Sequence, residues 1–188
     1  MEIARQAVRL FTSKGVAGTS AGEIAAAAGL SVRTLWRHVP NKESAVWPLL
    51  TAGIETVARL LRAWPPGQGP EALLDDMERA GREVAADVPA LLALVRLTRT
   101  EPGLRAVWLR AHDSAEPVFA AALAHRAGVS AESLGVRVQA AMINGALRAA
   151  VEHYASRHAP DGRPESVYED LNAAIRAALL TAAGGLRP

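Results

Sequence analysis

The stretch at residues 20–42, SAGEIAAAAGLSVRTLWRHVPNK, permits few folds. Ser20 and Glu23 are spaced so that the serine oxygen accepts a backbone N–H three residues on while the glutamate reaches back, a capping box that starts a helix. Ile24, Ala25 and Ala28 follow at helical spacing, and the run of alanines leaves a smooth surface that a second helix can approach closely. Gly29 supplies the positive φ that ends this helix and turns the chain. Leu30 is expected as a buried hinge residue and Ser31 as the next N-cap. Val32–His38 then makes about two turns before Pro40 forbids continuation. Two short helices joined in this way form a helix-turn-helix. In the second of them only Leu35 is plainly a core residue. Arg33, Thr34, Trp36, Arg37 and His38 are donors and aromatics, a surface that needs either a partner or water.

Half of the 188 residues are hydrophobic, enough for a sizeable core. Alanine and leucine dominate while aromatics make up only 4%, which favours helices over sheet and predicts an all-α chain. No cysteine is present, so disulfides, thiolate nucleophiles and zinc–thiolate sites are excluded. The sequence shows neither a basic-then-apolar leader nor an uninterrupted apolar run of ~18 residues, and a soluble, cytoplasmic protein is expected. The net charge of +2 is unevenly spread. Residues 1–47 carry six basic side chains (Arg5, Arg9, Lys14, Arg33, Arg37, Lys42) against three acids (Glu2, Glu23, Glu43), a net +3, and the rest is near neutral. A small basic head on a neutral body fits a nucleic-acid contact confined to one end.

Ile3, Ala7, Leu10 and Phe11 predict a first helix over Glu2–Lys14, ended by Gly15. After Pro40, Asn41 can cap a fourth helix with Lys42 in its first turn. Backbone N–H groups at a helix start attract anions, so Lys42 is expected to clamp a phosphate, the alternative being a plain surface lysine. Pro48 lies well inside this expected helix and predicts a bend over 44–48. The apolar period continues through Ile54, Val57, Ala58 and Leu61, and the proline- and glycine-rich segment 65–70 is the clearest break. Further helices are predicted over 71–87, from Pro89 through Leu97, over 104–127 with Pro117 as a kink or restart, over 131–156 behind a Ser130 cap, and over 165–183. Residues 158–164 read as a polar loop. The last two helices carry broad faces rich in small residues, suited to a helix–helix interface or to ordinary packing within the chain.

Arg33 and Arg37 are four residues apart and share one helical face. Arginine can hold guanine O6 and N7 with two parallel bonds, so these two are expected to read bases in a major groove, with Thr34 touching a thymine methyl or a phosphate. A head this small buries too little surface for a selective site, which predicts a homodimer on a palindromic operator in double-stranded DNA.

Ala7, Leu10-Phe11, Gly15, Thr19-Ser20, Glu23-Ile24-Ala25, Ala28-Gly29-Leu30-Ser31, Thr34-Leu35-Trp36 and His38 through Pro40-Asn41-Lys42-Glu43 form an ordered series over residues 3–46, about a quarter of the chain. This series resembles the DNA-binding head of the TetR family of bacterial transcriptional regulators. The resemblance implies a three-helix head at 1–47 and a helical ligand-binding and dimerisation body at 48–188, about nine helices in all. It places Thr19, Trp36 and His38 at backbone-phosphate contacts. Val32 stands where many relatives carry lysine and Val39 where many carry phenylalanine. The basic arm that precedes the first helix in many relatives is not seen here, so minor-groove contacts are not expected. Repression is the usual mode of the family, and its last two helices pair in a four-helix dimer bundle. The interface is therefore expected at Leu134, Val138, Ala141, Gly145, Ala149, Leu171, Ile175, Ala178 and Leu179. The family's variable body takes a small-molecule effector, here with Met77, Arg96, Trp108, His112, Phe119, Met142, Asn144 and Tyr168 as candidate pocket residues.

No cofactor, metal or catalytic residue is expected. The five histidines include no HExxH pair and no His–Asp–Ser set, and His153 and His158 are poorly spaced to share a metal. The competing class is a helical protein-interaction module that keeps a degenerate or non-specific DNA-binding head.

Overall fold

The computed structural model describes residues 1–157 and 164–184. The chain is all-α, with no strand among the described residues. The head comprises α1 (Glu2–Lys14), α2 (Ala21–Ala27) and α3 (Val32–His38); the body comprises α4 (Trp47–Ala63), α5 (Pro70–Gly81), α6 (Val88–Leu97), α7 (Pro102–Ala127), α8 (Leu134–Arg157) and α9 (Pro164–Ala183). Two 3-10 turns, Glu43–Val46 and Arg82–Asp87, precede α4 and α6. Helix α4 packs along α7, α7 along α8, and α8 along α9. Most of the polar loop expected at 158–164, including His158, lies outside the described residues.

The capping logic of the head is realised atom by atom. Ser20 Oγ accepts the Glu23 N–H and Glu23 Oε2 accepts the Ser20 N–H at 2.8 Å, so two otherwise orphan donors at the start of α2 are satisfied. Gly29 sits at φ +69°, the Leu30 N–H bonds the Ala25 carbonyl at 2.8 Å and the Gly29 N–H bonds Ala26 at 3.1 Å, a Schellman motif that ends α2. Ser31 then caps α3 by accepting the Thr34 N–H at 3.1 Å. Phe11, Ile24 and Leu35, at 1%, 0% and 0% exposure, are the point where the three helices meet. Leu30, expected to be buried, is half-buried at the edge of this core.

The apolar cluster does not stop at the end of the head. Ala4, Ala7, Phe11 and Ile24 belong to the same cluster as Leu92 and Val95 of α6, Leu104 and Trp108 of α7, and Val151 of α8. Arg5 of α1 also forks onto Asp87, just before α6, with Nε to Oδ1 at 2.6 Å and Nη2 to Oδ2 at 3.0 Å. A second cluster fills the far end of the body, from Leu61 and Leu73 to Phe119, Leu123 and Ala140.

Several expected boundaries move for identifiable reasons. Pro48 is not inside a helix: Glu43–Val46 winds as a 3-10 turn, and Pro48 occupies the first turn of α4, where its missing N–H costs nothing. The helix expected over 71–87 stops at Gly81 and continues as a 3-10 turn. The break coincides with Tyr168 Oη donating to the Glu78 carbonyl at 2.5 Å, the acceptor that an α-helical Arg82 N–H would use. Pro102 opens α7 rather than breaking the chain ahead of it, and α7 runs unbroken through the exposed Pro117. Both halves of α7 bury apolar residues, Val107 and Trp108 before Pro117 and Phe119 and Leu123 after it, which offsets the lost hydrogen bond. Ser130 accepts the Glu132 N–H in a turn, and α8 begins only at Leu134.

Candidate nucleic-acid interface and body cavity

Helix α3 is anchored by Leu35 alone and otherwise faces solvent: Arg33, Arg37 and His38 are exposed, Trp36 is 46% exposed and Val32 43%. The first turn of α3 has no acid and carries the cationic Arg33, an arrangement unfavourable to the helix dipole. The residue choice therefore serves something other than the stability of α3. The Thr34 hydroxyl lies 2.9 Å from Ser31 Oγ and is half-buried, so it belongs to the cap as well as to the outer face.

The six cationic side chains of the head divide sharply. Arg5 is held by Asp87, Arg9 donates to Gln6 Oε1 at 2.9 Å, Lys14 pairs with Glu23, and Lys42 donates to the carbonyls of Val16 at 2.6 Å and Thr19 at 3.0 Å. Arg33 and Arg37 have neither a hydrogen bond nor an ion pair among the described residues. Uncompensated positive charge in the head is thus concentrated on one face of α3. The Glu23 carboxylate, 46% exposed, is held down to about 2, first by Lys14 and then by the Ser20 N–H and hydroxyl, so it stays ionised and tethers α1 to α2.

Two residues expected to contact phosphate through their side chains are turned inward. Thr19 is 2% exposed and its hydroxyl donates to the Gly15 carbonyl at 2.8 Å. Lys42 is half-buried, with its ammonium bound to the same 15–19 loop. Both fix the loop that delivers α2, and both attract carbonyl partners that a linear pattern does not reveal. Asn41 does cap the 3-10 turn ahead of α4, its Oδ1 accepting from the Ser44 N–H at 2.8 Å and the Ser44 hydroxyl at 2.7 Å.

The candidate pocket residues separate into three places. Met77, Trp108, His112 and Tyr168 converge on a cavity of about 130 Å³ between α4, α5, α6, α7, α8 and α9. Asn144 stands behind His112, its Oδ1 2.7 Å from His112 Nδ1 and its Nδ2 donating to the His112 carbonyl at 3.0 Å. Phe119 is fully buried in the far core, Arg96 borders a separate polar cleft with Arg99 and Arg105, and Met142, 39% exposed, lines an outer groove between α8 and α9. Long apolar side chains at helical spacing fill cores as readily as pockets, which is why these three do not join the cavity. Glu152, not singled out as a cavity residue, organises its edge: it accepts from Trp108 Nε1 at 2.7 Å and Arg105 Nη1 at 2.5 Å. Burial works to raise its carboxyl, but those two donors prevail and lower it. A carboxylate on an otherwise apolar, small-residue helix was the signal available in the sequence.

Of the residues expected at a dimer face, those on α8 lie outward: Leu134 is 77% exposed, Val138 45%, Ala141 and Ala149 are exposed and Gly145 half-exposed. Those on α9 do not. Leu171 is buried in the core, while Ile175 and Leu179 pack against it and Ala178 is half-buried. The outward stripe of α9 is Ala173, Ala177 and Leu180. Alanine makes both faces of α9 apolar, and the bulkier residues take the inner one.

Among the described residues, no group of three or more His, Asp or Glu side chains is placed to hold a metal ion, and no helix is long and apolar enough to cross a membrane.

Residues 3–44 match the family model for bacterial regulatory proteins of the tetR family, and residues 70–183 match the MftR C-terminal domain. The chain is 30% identical over 135 residues to the HTH-type transcriptional regulator TcmR of Streptomyces glaucescens, a match covering 68% of this chain and 60% of that protein. In fold it is similar to the fatty acid degradation regulator FadR of Bacillus halodurans (TM-score 0.61, 21% identity, 99% of this chain and 95% of that one). It is also similar to Thermus thermophilus FadR, a transcriptional repressor solved with lauroyl-CoA (TM-score 0.54, 24% identity, 100% of this chain and 94% of that one).

Proposed function

The chain belongs to the TetR family of bacterial transcriptional regulators, a regulator with a DNA-binding head and not an enzyme, and from that premise we propose that it is a ligand-responsive repressor acting as a homodimer on a palindromic operator. The observation that carries the reading is the division of charge in the head, where Arg33 and Arg37 alone are left without an intrachain partner among the described residues. Their guanidinium groups read guanines in the major groove, Thr34 touches an adjacent base or phosphate, and Trp36 and His38 rest on the sugar-phosphate backbone. Thr19 and Lys42 support these contacts from behind by holding the loop ahead of α2.

The dimer forms through the outward stripe of α8, from Leu134 and Val138 through Ala141, Met142 and Gly145 to Ala149, together with Ala173, Ala177 and Leu180 of α9. Small residues along such a face let two helix pairs approach closely. The effector enters the cavity that contains Trp108, His112 and Tyr168, and the protein works in the cytoplasm, where its DNA is.

Selection of the purified protein against random duplex DNA at near-physiological salt tests this directly. A palindrome with guanine-containing half-sites is expected. Arg33→Ala and Arg37→Ala should each weaken binding by ~1–3 kcal/mol and relax one position of each half-site. Their melting temperatures should stay at the wild-type value, because neither side chain has an intrachain contact to lose. Bulk, sequence-blind binding or none at all would overturn the operator reading and favour a protein-interaction module.

A further inference from the structure

The cavity between α4 and α9 has no charged residue in its wall; Leu50, Ile54, Val57, Val84, Leu91 and Leu147 contribute much of its apolar lining. Its hydroxyl groups are already committed, Thr56 Oγ1 to the Ala52 carbonyl and Tyr168 Oη to the Glu78 carbonyl. His112 is different. It is 4% exposed and edge-on to Trp108, with ring centroids 4.2 Å apart, and its Nε2 is buried with no hydrogen-bond partner.

The proton on His112 is assigned by its neighbour. Asn144 Nδ2 donates to the His112 carbonyl, so Asn144 Oδ1 is the atom facing the ring, and an oxygen can only accept. His112 therefore carries its proton on Nδ1, and Nε2 presents a bare lone pair. Burial keeps the ring neutral by pushing its pKa down. The Asn144 bond opposes that shift, Arg148 adds to it, and Glu152 and Asp113 work against it.

We propose that this cavity takes a single-ring, uncharged apolar compound bearing one hydroxyl, a phenol in chemical class, whose O–H donates to His112 Nε2. The proposal rests on the reading of the body as an effector domain and names the chemistry of that effector. The size follows from the volume: an apolar cavity of about 150 Å³ accommodates benzene, and this one is about 130 Å³. The lack of charge follows from the wall, since an ion there would have no compensating partner. The donor follows from Nε2, because a buried acceptor left without a hydrogen bond favours any ligand that supplies one. Water is a poor substitute, since a buried water needs several polar partners and this wall offers few.

The test titrates the full-length protein by calorimetry with phenol and with toluene, which has the same shape and no donor. Phenol should bind about tenfold or more tighter than toluene. The ¹⁵N resonance of His112 Nε2 should shift on adding phenol and not toluene. In His112→Phe the two ligands should bind alike; where that variant fails to fold, the wild-type comparison and the ¹⁵N shift decide the matter alone. Equal binding of phenol and toluene to the wild type would overturn the donor assignment and leave an effector domain of other chemistry standing. Binding of neither, by a preparation that still selects a palindrome, would overturn the proposal while leaving the DNA reading intact. A phenol preference without any selected palindrome would support the proposal and sink the operator reading.

Discussion

Replacing Lys42 with methionine separates a structural lysine from a phosphate clamp. The stem of Lys42 is retained in methionine, so the loss is confined to the ammonium and its two bonds to the Val16 and Thr19 carbonyls, at 2.6 and 3.0 Å. Hydrogen bonds from a charged donor contribute roughly 1.5–3 kcal/mol. Lys42 is half-buried, so water can take over part of the work, and about 1.5–2 kcal/mol is the expected loss of stability. For a chain of this size that corresponds to a melting temperature lowered by roughly 3–8 °C, read by calorimetry at fixed protein concentration. Operator binding should weaken modestly, because the 15–19 loop that delivers α2 is loosened, but the slope of log affinity against log salt should stay at the wild-type value. A true phosphate contact would behave in the opposite way, with little change in melting and a slope shallower by about one unit. Unchanged melting together with a shallower slope would refute the assignment of Lys42 to the loop.

Gly18 lies in that same loop, and a Cβ built there would stand 2.5 Å from the backbone carbonyl oxygen of Lys14. Gly18→Ala should cost ~1–3 kcal/mol in urea denaturation, since backbone must move to relieve the clash. Glu23 should give the head an acid-sensitive tether. Its folded pKa of about 2 lies below its ordinary 4.5, so the unfolded chain binds the proton more readily. The stabilisation is complete above the unfolded value and lost as pH falls through the folded one. The stability gap between wild type and Glu23→Gln should therefore be widest above pH 4.5 and shrink towards pH 2, measured by urea midpoints across that range.

Legibility in the sequence tracks the range of the interactions involved. The caps at Ser20 and Ser31, the Gly29 turn and the Val32–His38 bounds of α3 are set within a few residues, and each stands where the local chemistry puts it. The candidate base-reading arginines are legible for the same reason, since a spacing of four on a short helix fixes a shared face. Thr19 and Lys42 depend on carbonyls brought near by the turn of the whole head, and residue type alone cannot tell a carbonyl from a phosphate as the acceptor. The inner and outer faces of α9 are hard to tell apart because alanine scores as apolar wherever it points; only the bulk of Leu171 and Ile175 distinguishes inside from outside. His112 and Asn144 are both legible as candidates, yet the lone pair that matters arises from a pairing 32 residues apart in sequence.

The packing also limits how a ligand could act on the heads. The head is not suspended from a linker: α1 lies against α6, Arg5 is forked onto Asp87, and Ala45 and Val46 of the 3-10 turn are buried in the cluster that contains Phe11 and Ile24. It can move only with the start of α4 and with α6. Both helices contribute to the cavity wall, α4 through Leu50 and Ile54 and α6 through Val88 and Leu91, and Leu50 and Val88 belong to the shared cluster themselves. A ligand shifts the heads only by the difference in its affinity for two arrangements. In a cavity this small that difference arises when the molecule fits after α4 or α6 has moved and not before. Pro48 makes the start of α4 suited to such a movement: with no N–H at that position, the first turn can change its angle to the 3-10 turn without breaking a helical hydrogen bond from that residue.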